Sequence, residues 1–215
     1  MWTENDIPLF PLGVVLLPER VIPLHIFEER YKVMIGECIE QGKAFGVVYL
    51  RDSKIQRIGC SARITDVLKR YEDGRLDILT KGERRFLITS LDESRPFLQA
   101  GVRYVEDHAE DSEENLLQLR TRAVEGLKRL NRFMGKQGRD EPPVEADDTL
   151  VSFYIAGDES FTPDEQQEFL EMTSPASRFE RVIEWLQKKI EILEAQEEIS
   201  KIIRGNGKTR DRLRL

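Results

Sequence analysis

Prolines at positions 8, 11, 18 and 23 interrupt the apolar opening run IPLFPLGVVLLPERVIPLHIF, and they restrict this chain more than any other feature. Each locks its own φ and lacks an N–H, so no helix tolerates the segment and a central strand disfavours it. What remains is a series of short strands with bends, several at a sheet edge. Residues 7–10, 14–17, 22–26 and 44–50 fit, being short and β-branched or aromatic.

The strongest local signal lies further on. In residues 62–81, Ile64, Val67 and Tyr71 precede a Glu-Asp-Gly-Arg turn at 72–75, and Leu76 and Ile78 follow it. An Asp-Gly turn between apolar runs predicts a β-hairpin. Residues 85–90 and 97–105 read as two more strands. One helix interrupts this β region over residues 28–41. There Tyr31, Met34, Ile35, Cys38 and Ile39 recur at spacings of three and four, and Gly42 stands where a left-handed residue ends the helix.

After residue 107 the period changes from two to 3.6. A polar, acidic linker at 108–114 carries Ser112 as an N-cap. Leu116, Leu119, Ala123, Leu127 and Leu130 then form a helical stripe, followed by a breaker-rich loop at 135–143. A short helix is expected at 149–156. Thr162-Pro163-Asp164-Glu165 forms a capping box, and Ser174-Pro175 repeats the cap-then-proline device. In the last helix Phe179, Ile183, Leu186, Ile190 and Leu193 share one face. The expected organisation is a β-rich domain over residues 1–107 and an α-helical bundle over 108–215, with the last twelve residues frayed. The fold class is therefore α+β.

Charge narrows the function. The formal net charge is −7, which argues against nucleic acid as a general partner. The acidity is uneven: residues 1–107 are balanced at 16 basic and 17 acidic side chains, whereas 108–215 carry 17 and 23. Six basic residues against Asp211 make the last fifteen positions a cationic tail. No apolar run approaches a membrane span, and the acidic, proline-broken N-terminus does not resemble a secretory signal. A cytoplasmic location is expected. The two cysteines, Cys38 and Cys60, lie in apolar contexts without CxxC spacing and are expected as reduced, buried thiols. His25 and His108 belong to no metal-ligand spacing, so neither a metal nor a cofactor is expected.

Catalytic patterns fail in turn. Arg204-Gly205-Asn206-Gly207-Lys208-Thr209 imitates a phosphate loop, but Ile202 occupies the position that requires the first glycine. No GxSxG elbow exists, and neither Ser152 nor Ser160 sits in a protease-like context. Asp73/Asp77 and Asp147/Asp148 read as a turn and a helix cap. Arg84 and Arg85, with Arg63, Lys69 and Arg70, form either a solvated edge-strand face or an anion-binding one. His25 reads as a hydrogen-bonder in an apolar strand. Any of Phe10, Leu12, Leu17, Leu24, Phe27 and Tyr31 left exposed would form an apolar strip rimmed by charge, placed between the β half and the bundle. Candidate binding residues are His25, Phe27, Tyr31, Arg84 and Arg85.

The order and spacing of several strings resemble one family. IPLFPLGVVLLPERVIPLHIFEERYKVMI resembles the opening of the Lon protease N-terminal domain. FGVV at 45–48, IGCSARITDV at 58–67, DGRLDI at 73–78, GERRFLI at 82–88 and the helical TLVSFYIAG and PDEQQEFLEMTSPASRFERVIEWLQKKIEIL continue the match over about residues 6–200. The HIFEERY version looks more like free-standing bacterial members, and the ATPase and Ser-Lys protease modules of full-length Lon lie beyond the matched region. The resemblance implies a PUA-like curved sheet or β-barrel with an inserted helix, followed by a helical bundle. It implies a non-catalytic module that recognises unfolded or degron-bearing polypeptides, with a protease as a further candidate partner. PUA-like barrels that hold RNA supply the alternative, and an unrecognised hydrolase a third. The long apolar face of the last helix points to a homodimer or to packing back on the β half.

Overall fold

The Asp73-Gly74 turn sets the register of the longest strand pair. Gly74 has φ 83°, a conformation open to glycine, and the Asp73 carboxylate accepts from the Arg75 N–H at 3.2 Å. On either side run β5 (Ile58–Arg70) and β6 (Leu76–Asp92). β6 is continuous through residues 82–88, so the expected hairpin and the separate strand at 85–90 are one element.

The molecule is a computed structural model that describes residues 6–108, 112–136, 142 and 146–210, with backbone alone for 204–210. Around the hairpin stand β1 (Asp6–Leu12), β2 (Val21–Ile26), α1 (Glu29–Gln41), β3 (Phe45–Arg51), β4 (Lys54–Ile55) and β7 (Gln99–Tyr104). Then come α2 (Glu113–Phe133), α3 (Asp148–Ala156), α4 (Pro163–Glu171) and α5 (Pro175–Arg210). The sheet runs β1-β7-β6-β5-β3, and β1 also pairs with β3 in parallel, which closes it into a barrel. β2 pairs antiparallel with the first half of β6, on the edge that β7 takes over further along. Closure hides strand edges that would otherwise recruit other chains.

α1 ends as its sequence dictates, with Gly42 at φ 63° and its N–H on the Cys38 and Ile39 carbonyls. Its buried face, Tyr31, Met34, Ile35 and Cys38, packs with Phe10, Phe45 and Ile78 in one core cluster. Ile7, Leu9, Phe86, Ile88 and Val102 form a second.

Residues 14–17, expected as a strand, are irregular, although Val15, Leu16 and Leu17 are buried. The reason lies opposite them. Residues 17–20 cross β6 at Gly82: the Glu19 N–H donates to the Gly82 carbonyl and the Gly82 N–H to Arg20, both at 2.9 Å. A Cβ on Gly82 would lie 2.2 Å from the Leu17 carbonyl oxygen. That contact is with backbone, so no rotamer change relieves it. Gly82→Ala is expected to cost about 1–3 kcal/mol by urea titration, whereas Gly13→Ala, with open space around it, should have a far smaller effect.

The buried thiols behave as their surroundings require. Both cysteines are free and buried, and loss of hydration pushes each up to about 12. The thiolate is the reactive form. Both should therefore resist iodoacetamide at pH 8 in the folded protein and react promptly in urea.

The second half of the chain divides between two compact units. One comprises Met1–Glu110 and Asp147–Pro175; the other comprises Asp111–Ala146 and Ala176–Leu215. α3 and α4 thus belong with the barrel and not, as the change of period at residue 108 suggests, to one bundle over 108–215. Gln167 on α4 donates to the Ile58 carbonyl at 3.0 Å. The expected caps are present: Asp147 accepts from the Leu150 N–H, and Thr162 with Glu165 forms a reciprocal box. In the second unit Ser112 caps α2. Leu119, Ala123, Leu127 and Leu130 of α2 and Ile183, Leu186 and Ile190 of α5 are buried. Gly126 meets Leu186 closely enough that a Cβ would stand 3.2 Å from its Cδ1. Arg129 and Glu194 pair across the same helices at 2.5 Å. α5 runs on to Arg210, past the expected end near 203, so the phosphate-loop lookalike has a helical backbone. Residues 109–111 of the acidic linker, most of the loop at 135–143 and the final five positions lie outside the described residues. No helix among the described residues is long and apolar enough to cross a membrane.

Candidate functional site

A cavity of about 480 Å³ opens in the first unit, lined from four elements: the end of β1, the end of β2 with the residues after it, the start of α1, and Leu50 of β3. It therefore lies inside the barrel unit and not, as the sequence suggests, between the β half and the bundle. Pro11 on β1 pairs with Val48 and Pro23 on β2 with Leu79, and both line the cavity with the neighbouring Phe10, Leu12 and Leu24.

The floor is aromatic. Phe10 and Tyr31 rings lie 4.3 Å apart, tilted by 39°, with Phe45 behind at 6.1 Å. Burial raises the Tyr31 phenol above its ordinary value, with the Arg30 guanidinium opposing and Glu28 adding to the rise, so the ring stays neutral at physiological pH. Arg30 covers that ring at 4.5 Å and pairs with Glu28 at 2.8 Å.

The rim is a three-residue cluster. β2–β6 register places His25 opposite Asp77, and the imidazole Nδ1 stands 2.5 Å from the Asp77 Oδ1. The Tyr71 hydroxyl donates to the other carboxylate oxygen at 2.8 Å. These bonds, His25 first and then Tyr71, hold the Asp77 carboxyl below its usual range. His25 is stacked on Phe27 at 5.9 Å. Phe27 itself is 59% exposed, a large apolar ring standing in solvent beside the cavity.

Three of the five candidate residues, His25, Phe27 and Tyr31, line this cavity. Arg84 does not; it pairs with Glu106 at 3.4 Å and covers the Tyr104 ring at 3.9 Å. Arg85, offered as a binding residue, is only 4% exposed. It reaches inward to Asp107 at 2.5 Å and to the Leu170 carbonyl at 3.0 Å, and it also donates to the Met172 carbonyl. Its role is to tie β6 to the end of α4. Arg63 pairs with Glu83 and Lys69 sits on the Tyr71 ring at 4.4 Å, so these two members of the expected basic face are already engaged. Asp73 is the turn residue it was read as, but Asp77 is His25's partner. Their separation of 52 positions gave no sequence signal.

The comparisons with known proteins agree with one another. The family model for the ATP-dependent protease La (LON) substrate-binding domain matches residues 6–188. The Lon protease of Anaeromyxobacter dehalogenans is 26% identical over 93% of this chain and 25% of its own length. The Lon protease of Escherichia coli K12 is 24% identical over 90% of this chain and 26% of its own. The chain thus spans about a quarter of these relatives. Among solved structures, the Lon N-terminal domain protein from Xanthomonas campestris superposes with a TM-score of 0.63 at 24% identity, covering 84% of this chain and 98% of that one. The N-terminal domain of Mycobacterium avium complex Lon protease gives 0.64 at 17% identity, with 85% and 98% covered. Because that model spans the whole barrel and most of the chain, residues 6–188 of 215, the chain belongs to the Lon substrate-binding domain family.

Proposed function

We propose that this protein captures unfolded or degron-bearing polypeptides without catalysing a reaction on them, acting in the cytoplasm alongside a protease that consumes what is captured. The observation that carries this reading is the apolar cavity with Phe27 exposed at its edge. An exposed aromatic over a preformed apolar cavity suits a segment that has lost its own core, because both partners remove apolar surface from water. The family's substrate-binding role supports the same reading.

The test is fluorescence anisotropy of labelled β-casein titrated with this protein, with structured RNA as competitor. Saturable binding that RNA leaves intact is the expected result; no binding at tens of micromolar would overturn the proposal. The RNA alternative requires a steep fall in affinity with salt and a marked loss on Arg84→Glu.

The exposed Ile192, Ile199, Ile202 and Ile203 on α5 extend this proposal to assembly, because such a stripe is costly to leave in water. A dimer by sedimentation equilibrium is expected, and Ile199→Glu with Ile202→Glu should give a monomer.

A further inference from the structure

Among the polar side chains that line the cavity, Tyr31 alone has no hydrogen-bond partner among the described residues. His25 is bonded to Asp77, and Arg30 donates to Glu28. The Tyr31 ring is held in place by Phe10 at 4.3 Å and by the Arg30 guanidinium at 4.5 Å. Its hydroxyl meets neither a donor nor an acceptor, and burial and nearby charge alone set the phenol's acidity. The residue is only 7% exposed, and polar groups so deeply buried are normally paired. Yet the Tyr31 oxygen is not one of the sealed polar atoms that lack a partner, so it still reaches water. The cavity is the opening that Tyr31 lines. The hydroxyl therefore faces into it.

The surroundings limit what can meet that hydroxyl. Leu12, Leu24, Ile26 and Leu50 contribute apolar walls, so an entering group must be apolar along its body and polar only at its tip. Lysine would bring a second cation beside Arg30. A carboxylate would lose its water against the same walls and meet the charge of Glu28. At about 480 Å³ the space accepts a whole aromatic side chain. The chemistry that fits is a neutral aromatic ring with a hydroxyl at its far end.

We propose that the cavity selects tyrosine within a captured segment, its ring lying against Phe10 and Tyr31 and its hydroxyl bonding the Tyr31 hydroxyl. Phenylalanine fills the same space, but it strips water from Tyr31 and gives no bond in return. Tyr31 is then the residue that sets side-chain preference, while the apolar walls supply affinity for any large ring. The inference rests on the reading of the cavity as a polypeptide-binding site and names the side chain that this site favours.

The test is a cycle of two peptides and two proteins. The labelled peptides, Thr-Leu-Thr-Tyr-Thr-Leu-Thr and its Phe counterpart, are acetylated and amidated and differ by one oxygen atom. Tyr31→Phe removes the matching oxygen from the protein, and because that hydroxyl bonds nothing in the fold, its urea midpoint should equal the parent's. The parent is expected to bind the tyrosine peptide roughly two- to tenfold more tightly than the phenylalanine peptide. Tyr31→Phe should erase or reverse that ratio while still binding the phenylalanine peptide. A ratio near one in the parent, or one that Tyr31→Phe leaves unchanged, overturns tyrosine selection while the binding reading stands. So does capture of β-casein with neither peptide bound. If β-casein and both peptides all fail to bind, the binding reading itself falls and this inference with it.

Discussion

Replacing Arg85 by alanine is expected to remove roughly 3–5 kcal/mol of folding stability, a large part of what a domain this size possesses. The guanidinium and the Asp107 carboxylate are 4% and 9% exposed at their side chains and 2.5 Å apart. Arg85 also satisfies the Leu170 and Met172 carbonyls at the end of α4 and stands 5.1 Å over the Phe153 ring on α3. Truncation leaves Asp107 buried without this cation and two carbonyls without this donor, each a cost water cannot reach to relieve. Arg84→Ala, one residue away on the opposite face of β6, is exposed and should stay within about 0.5 kcal/mol of the parent. Urea titrations of the two variants separate a buried tie from a surface charge. A double variant, Arg85→Met with Asp107→Leu, removes both charges together and should recover much of the loss. Near-equal stability for Arg85→Ala and Arg84→Ala would contradict the structural role assigned here.

That same arginine shows where sequence reading stops. Periodicity identifies Arg85 as a strand residue and places two cationic positions side by side, but alternation alone does not say which of Arg84 and Arg85 points inward. The answer depends on α3 and α4, which lie far along the chain and cover that part of the barrel. Elements governed by local chemistry were legible: the Asp-Gly turn, the Gly42 stop of α1, the Ser112, Asp147 and Thr162 caps. The strand expected at 14–17 was not, because Val15, Leu16 and Leu17 are buried by irregular backbone that leads into the crossing at Gly82 rather than by strand pairing. The candidate site was half legible. Pro23 announced an edge strand, as β2 is among the described residues, and His25, Phe27 and Tyr31 follow it in sequence. The Asp77 and Tyr71 side of the cluster arrives only through β2–β6 register, which the His25 neighbourhood does not encode.

Phe27→Ala should weaken capture of unfolded polypeptide by about tenfold or more, on the scale of an aromatic hot spot, while leaving the fold intact. The two halves of that expectation come from the same number. At 59% exposure the Phe27 ring contributes little to the core, so its removal should change unfolding by no more than about 0.5 kcal/mol. What it does contribute is an apolar face beside the cavity, held in place by stacking on His25 at 5.9 Å while His25 is itself fixed by Asp77. Phe27→Trp keeps that face and should retain most of the affinity. Phe27→Asp should do worse than alanine, because bringing an apolar side chain against it would strip water from a carboxylate. Since the lost contact is apolar, the ratio of wild-type to alanine affinity should hold between 50 mM and 500 mM NaCl, where a charge-driven complex would lose its discrimination. A Phe27→Ala protein that binds β-casein as tightly as the parent would move the capture site away from this cavity. Normal stability in that variant would show that the residue had been misassigned rather than the fold disturbed.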